Sequence, residues 1–207
     1  MIDLSGRGFW DLGIVWESRR TVAPTDLAAT VEYIRDLVLR AVNGPLEDEH
    51  IRRLIQSATA VYEEWTQKAL MPQTWQMVLD RFPPGRIRLE RPPFIGITTF
   101  ACVDETGAEQ LLEPADYLVK PSGPYIKAEV WPRPGGAWPV TQSGRPDAVT
   151  ITYQAGVADL DLAPELQKEI EGIALFVSEC YTHRLFLVPG SHEASALKLE
   201  HFWKRVW

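Results

Sequence analysis

Cysteine is almost missing from this chain, with Cys102 and Cys180 alone among 207 residues. The two lie far apart in segments of different pattern, so a disulfide framework has no support, and the Cys-x-x-Cys spacing of a zinc knuckle or a redox pair does not occur. Both read as small buried hydrophobes. Long apolar runs are missing too. The longest, Ile173 to Val177 and Leu185 to Val188, fall far short of the roughly 18 residues that a membrane span needs. The opening Met1-Ile2-Asp3-Leu4-Ser5-Gly6-Arg7-Gly8 shows no basic region followed by an apolar core and a cleavage site, so the expectation is a soluble protein of cytoplasmic origin. An excess of basic residues is also lacking. Lys and Arg number 21 against 28 acids, for a net charge of −7, which excludes a broad basic grip on nucleic acid and leaves room only for a local strip.

The short motifs of catalysis are equally scarce. No glycine-rich loop leads into Lys and a hydroxyl, and no Gly-x-Gly-x-x-Gly or Gly-x-Ser-x-Gly is present, so nucleotide binding and a serine nucleophile elbow lose their best support. His50 falls in the acidic first turn of a predicted helix and His183 near the end of another, where helix-end electrostatics account for them. His192 and His201 stand beside Glu193 and Glu200, but their separation is not the one-turn spacing that converges two ligands on one ion. Pro146-Asp147 is the only opening toward a metal-dependent nuclease, and no Glu-x-Lys accompanies it. The sequence therefore predicts no catalytic residues, no metal site and no cofactor.

What is present is aromatic and rigid. The chain holds eight Trp and 16 Pro, the latter roughly 8% against a usual level of about 5%, a composition suited to interfaces and stiff loops. Residues 1–23 carry Phe9, Trp10, Leu12, Ile14, Val15 and Trp16 without a clear period and are read as an N-terminal arm. Apolar residues then step by three and four from Leu27 to Ala41, with Thr25 and Asp26 as candidate caps and Asn43-Gly44-Pro45 as the stop, predicting a helix over about 25–43. A second helix is predicted over 47–68, with Ile51, Leu54, Ile55, Ala58, Val61, Tyr62 and Trp65 on one face. From Pro72 the period falls to two. Trp75, Met77 and Leu79 alternate with Thr74, Gln76 and Val78, and Val149, Ile151 and Tyr153 with Thr150, Thr152 and Gln154. Between them lie strand candidates at Ile87–Leu89, Ile97–Val103, Gln110–Leu112, Tyr117–Lys120 and Tyr125–Trp131, with Asp104-Glu105-Thr106-Gly107 as a hairpin turn. A third helix is predicted over 164–184, and Ser191 opens a last, mostly apolar one. The fold class is α+β. The parts are an N-terminal arm over 1–23, a helical core beginning at 24–71, an inserted β module over 72–158 between the second and third helices, the last core helix within 159–184, and a C-terminal arm over 185–207.

Taken in order, these features resemble a known family. The segments Pro24-Thr25-Asp26-Leu27-Ala28, Tyr62-Glu63-Glu64-Trp65-Thr66 to Ala69-Leu70, Gln73-Thr74-Trp75-Gln76 to Leu79-Asp80-Arg81-Phe82-Pro83 and Ile87-Arg88-Leu89 with Pro92 come in sequence. Val103-Asp104-Glu105-Thr106-Gly107, Asp116-Tyr117, Gly136-Ala137-Trp138-Pro139-Val140 and Arg145-Pro146-Asp147 through Gly156 follow. This series resembles the head-tail connector proteins, also called adaptor or head-completion proteins, of long-tailed bacteriophages and gene transfer agents. The match runs over roughly residues 24–184. It leaves out residues 1–23 and the segment after Arg184, and it sets Gln67 where the family often has Gly.

The resemblance implies a structural virion protein rather than an enzyme, made in the cytoplasm of a bacterial host and placed at the head-tail interface. It implies a homo-oligomeric ring, usually of twelve copies, between the portal protein and a tail-side stopper or tail terminator protein. DNA would pass through its centre without sequence-specific contacts. An acidic chain with many aromatics is compatible with such a ring, because a channel that lets DNA slide should not grip phosphates. Leu197, Phe202, Trp203, Arg205 and Trp207 are the candidate portal-binding residues of the C-terminal arm, since buried Trp and Arg dominate interfaces. Trp131 and Trp138 are the candidates for a docking loop in the β module. The alternative reading is a soluble β-rich module of a virion that binds glycan or peptide through Tyr125, Trp131 and Trp138.

Overall fold

The computed structural model describes residues 14–36, 45–120, 123, 126–157 and 166–182. Three helices and eight strands occur among them, in an α+β arrangement of two compact units. One unit combines Met1–Ala23 with Pro72–Gly156, the other Pro24–Met71 with Val157–Trp207.

The first unit is all antiparallel. Its larger sheet runs in the order β1 (Trp16–Val22), β2 (Gln73–Leu79), β8 (Val149–Ala155), β4 (Phe94–Val103), β5 (Glu109–Leu111), and its smaller one in the order β3 (Ile87–Arg88), β7 (Glu129–Pro132), β6 (Tyr117–Lys120). The alternation expected in β2 and β8 is realised. Gln73, Trp75, Met77 and Leu79 are buried, as are Val149, Ile151, Tyr153 and Ala155, with half-buried or exposed residues between them. The two strands pair from Gln73↔Ala155 to Leu79↔Val149, so their apolar residues face the same side. That side meets Phe100 and Cys102 of β4, opposite Ile151 and Val149. Central strands gain most from such burial, and Ile151, fully enclosed, is the type of residue whose truncation to Ala costs about 2–5 kcal/mol.

The N-terminal segment departs from the expected arm, because Trp16 to Val22 is an edge strand, paired antiparallel with β2 from Trp16↔Leu79 to Val22↔Thr74. The pairing satisfies backbone groups of an otherwise featureless segment, and Arg19 adds a hydrogen bond from Nη2 to Gln76 Oε1 at 2.7 Å. Between β4 and β5 the expected hairpin forms as read. Asp104 Oδ1 accepts from the Thr106 and Ala108 amides at 2.9 and 3.0 Å, and Gly107 takes φ +86°, a conformation that a Cβ disfavours. Strand β7 is shorter than predicted, and Tyr125 lies outside the described residues.

The second unit packs α1 (Val31–Ile34), α2 (Pro45–Thr66) and α3 (Gln167–Thr182) around Ile34, Ile51, Ile55, Leu54, Ala58 and Tyr62 on one side and Ile170, Ile173, Ala174 and Val177 on the other. The first helix starts later than Thr25 and Asp26 predicted. Its cap is Thr30, whose side-chain oxygen accepts from the Tyr33 amide at 3.0 Å, while Ala28 and Ala29 join the core from a non-helical stretch. The rest of that predicted helix, 37–43, lies outside the described residues. Helix α2 begins at Pro45, where the missing N–H costs nothing. It ends at Thr66 rather than Lys68, because Gln67 turns into the left-handed region at φ 57°. Trp65, expected on the buried face, is 49% exposed. The apolar stripe of this helix ends instead at buried Tyr62, beside buried Glu63. For α3, the apolar face from Leu166 to Val177 is buried as read, and the predicted start at Pro164 lies outside the described residues. Both cysteines are free and buried.

Candidate functional site

The Trp138 indole is a pin that holds its loop to the β unit. It stacks on Phe82 with ring centroids 4.9 Å apart and planes 8° from parallel, meets Phe100 at 5.8 Å and 58°, and donates from Nε1 to the Gly85 carbonyl at 2.7 Å. Offset and tilted aromatic pairs add to area burial, and the indole N–H finds the acceptor it needs. A loop rich in proline, with Pro132, Pro134 and Pro139, is thereby fixed by one side chain near its middle. Tyr117 extends the aromatic group, 5.2 Å from Phe100.

Trp131 is placed differently. It is 37% exposed and lies opposite Leu118, itself 52% exposed, on the outer face of the small sheet. The Arg86 guanidinium sits 5.5 Å from the centre of its ring, a cation–π contact that pre-orients both groups. Glu129 holds Arg86 at 2.9 Å and Arg88 at 3.4 Å. Lys120 stands across from Glu129 in the pairing of β6 with β7. The two sequence-predicted docking tryptophans thus share one unit with different tasks, Trp138 packed inward and Trp131 presented outward. Sequence reasoning did not find Leu118, Arg86 or Arg88. The signal was the cross-strand register, which composition does not carry.

Burial and local hydrogen bonds set the titration of three groups in the β unit. Burial, together with the Asp104 charge, pushes the Cys102 thiol up, and burial does the same to the Tyr153 phenol, whose hydroxyl donates to the Glu90 carbonyl at 2.8 Å. A raised thiol pKa leaves little nucleophilic thiolate. Asp104 is held down to about 2 by hydrogen bonds from Thr106, Gln110 and Ala108, which serve the turn. No group of three or more potential metal ligands gathers among the described residues. In the helical unit, Glu63 accepts from the Leu70 amide at 2.8 Å and Lys68 bridges Glu169 at 3.3 Å and the Tyr62 hydroxyl at 3.4 Å. These polar groups lock the chain leaving α2 against α3. His50 is exposed, its ring 6.0 Å from that of Tyr181. Arg35 pairs with Asp48, and Arg53 with Glu49 one turn away. The expected portal-binding residues Leu197, Phe202, Trp203, Arg205 and Trp207 lie outside the described residues, as do His183, His192 and His201.

No protein-family model matches the sequence, and no curated protein matches it. Solved structures do resemble the fold over nearly its whole length. A chain in the neck of an empty GTA particle, computed with C6 symmetry, superposes with a TM-score of 0.65 at 21% identity, covering 92% of this chain and 94% of that one. A chain in the virion of a native gene transfer agent (GTA) particle gives 0.62 at 21% identity, over 89% and 94%. A chain in the neck of a native GTA particle, computed with C12 symmetry, gives 0.62 at 19% identity, over 90% and 94%. At these identities the likeness is one of fold.

Proposed function

We propose that this chain is an adaptor of a phage or gene transfer agent neck, a structural protein that joins the portal of a DNA-filled head to the tail as a ring of twelve copies. The observation that carries the reading is the shared fold over about nine-tenths of the chain with neck chains of particles computed with C6 and C12 symmetry. The ordered sequence segments from Pro24 to Gly156 support the same family. DNA passes through the centre of the ring, and the net charge of −7 suits a channel that releases rather than retains phosphates. The tail-side partner is a stopper or tail terminator protein. The protein acts without catalysis and without a cofactor.

In this reading the C-terminal segment from Ser191 inserts into the portal, with Leu197, Phe202, Trp203, Arg205 and Trp207 as its contacts. Trp131 serves the docking platform, and Trp138 keeps the platform loop in shape. The test uses purified portal and the full chain beside a chain truncated after Gly190. The expected result is that truncation abolishes portal association and leaves the thermal midpoint within a few degrees. A truncated chain that still binds refutes the portal role of the segment. A full chain that binds no portal but retains glycan or peptide through Trp131 supports the alternative β-rich binding module.

A further inference from the structure

The β unit divides its charge unevenly. From Pro92 through Val119 there is no Lys or Arg, while Asp104, Glu105, Glu109, Glu113 and Asp116 supply five carboxylates. Asp104 is spent on its own turn. Asp116 likewise accepts from the Glu113 amide at 3.0 Å, whereas Glu105, Glu109 and Glu113 are exposed, and among the described residues none of these three forms an ion pair with a Lys or Arg. In their midst Leu111 is 64% exposed, two residues from Glu109 along β5 and so on the same face. The edge strand β5 therefore presents an apolar centre with an acidic rim.

The outer face of the small sheet is its complement. Trp131 and Leu118 form the apolar centre, as cross-strand partners. Arg86, Arg88 and Lys120 surround it, with Glu129 as the one carboxylate paired in that row. With Arg133 and Asp116, which continue the same pairing beyond Trp131 and Leu118, four cations stand against two acids and leave a positive patch on a chain whose net charge is −7. Exposed Trp beside Arg is the composition of an interface hot spot, and opposite rims set the register of docking and speed it.

We infer that the acidic β5 edge of one copy docks on the Trp131 face of the next. This inference rests on the ring reading above and names its contact. A patch and its complement on different strands of one chain make a head-to-tail contact, which closes into a ring when the rotation per copy permits. The occupant is a second copy, because the same chain carries both halves of the complementary pair.

The test is a charge swap read by sedimentation velocity on the full chain. One variant carries Glu109→Lys and Glu113→Lys, the other Arg86→Glu and Lys120→Glu. The wild type is expected to associate at low salt and to dissociate near 1 M salt, where the Debye length is about 3 Å. Each variant alone is expected to lose at least tenfold in association, and an equal mixture of the two to regain it as an alternating assembly. Leu111→Ser, which leaves the charges in place, should weaken association as well and guards against a charge variant that misfolds. A wild type that stays monomeric at low salt overturns the inference. Variants that associate like the wild type overturn it too, while a ring built through other faces keeps the adaptor reading intact. A mixture that fails to recover also counts against it, since complementarity is what the swap restores.

Discussion

Replacing Lys68 with Met should destabilise the helical unit by about 3 kcal/mol, and the reason is Glu169. The side chain of Glu169 is fully buried, that of Lys68 is 16% exposed, and their charged atoms stand 3.3 Å apart. Removing one partner of a buried pair takes a counter-charge away from the buried carboxylate, which costs about 3–5 kcal/mol. The partial exposure of Lys68 and its modest geometry put this case at the lower end. Methionine keeps the aliphatic bulk against Tyr62, so little of the loss comes from packing. For a chain of this size each kcal/mol shifts the thermal midpoint by about 2–4 °C, which makes the expected fall roughly 6–12 °C. The assay is urea unfolding followed at 222 nm, where the helices α2 and α3 dominate, with thermal scans in parallel. A cycle through Glu169→Gln and the double variant isolates the pair. In the double variant most of the loss should return. If Lys68→Met stays within about 0.5 kcal/mol of the wild type, the pair behaves as an exposed one and the reasoning fails.

Four further outcomes are expected. Gln67→Gly should stabilise the chain by about 0.5–1 kcal/mol, because the left-handed conformation costs an L-residue about 1–2 kcal/mol while the exposed Gln67 bond to the Glu64 carbonyl returns only part of it; urea midpoints decide the sign. Trp138→Ala should cost about 3 kcal/mol by emptying the stack on Phe82 and leaving the Gly85 carbonyl unpaired, and a loss below about 1 kcal/mol would mean that the loop is not pinned there. Ile151→Ala, in the central strand β8, should cost about 3–4 kcal/mol, visible as a lower denaturation midpoint with an unchanged slope. The carboxyl of Asp104 should titrate at about 2 in the folded chain, below its ordinary 3.8. A depressed carboxylate contributes stability that is present above the ordinary value and is lost as pH falls through about 2, so Asp104→Asn should flatten the acid limb of the stability profile. An NMR titration that finds an ordinary midpoint would remove the hydrogen-bonded turn from the account.

The parts of the fold that were legible in the sequence are those where one face alone is apolar. In β2 and β8 most of the buried residues are apolar and alternate with Thr, Gln and Val78, and in α3 the stripe from Leu166 to Val177 repeats every three or four residues, so period and burial coincide. The Asp104 to Gly107 turn was legible because its geometry depends on two residues within it. Strand β1 was not legible for a physical reason. It lies at the sheet edge, and the residues on the same side as Trp75 and Met77 include Ser18 and Arg20, so no apolar alternation marks it. The sequence leaves the start of α1 open because Thr25, Asp26 and Thr30 are all competent caps, and the structure uses Thr30. Spacing alone puts Trp65 on the apolar face of α2, whereas the helix ends within two residues of it and leaves it exposed. Residue type alone marks the tryptophans of the docking loop. Their division into a packed Trp138 and an open Trp131 follows from register and from the Phe82 ring, which no local pattern announces.

The most direct measurement is a cryo-electron microscopy reconstruction of the neck of the particle that incorporates this chain, made without imposed symmetry. The account predicts twelve copies in one ring beneath the portal, each with the fold described here. It also predicts the segment from Ser191 to Trp207 seated in the portal and the β5 edge of every copy against Trp131 of the next. A particle whose neck ring is built from a different protein, with this chain elsewhere or absent, would contradict it.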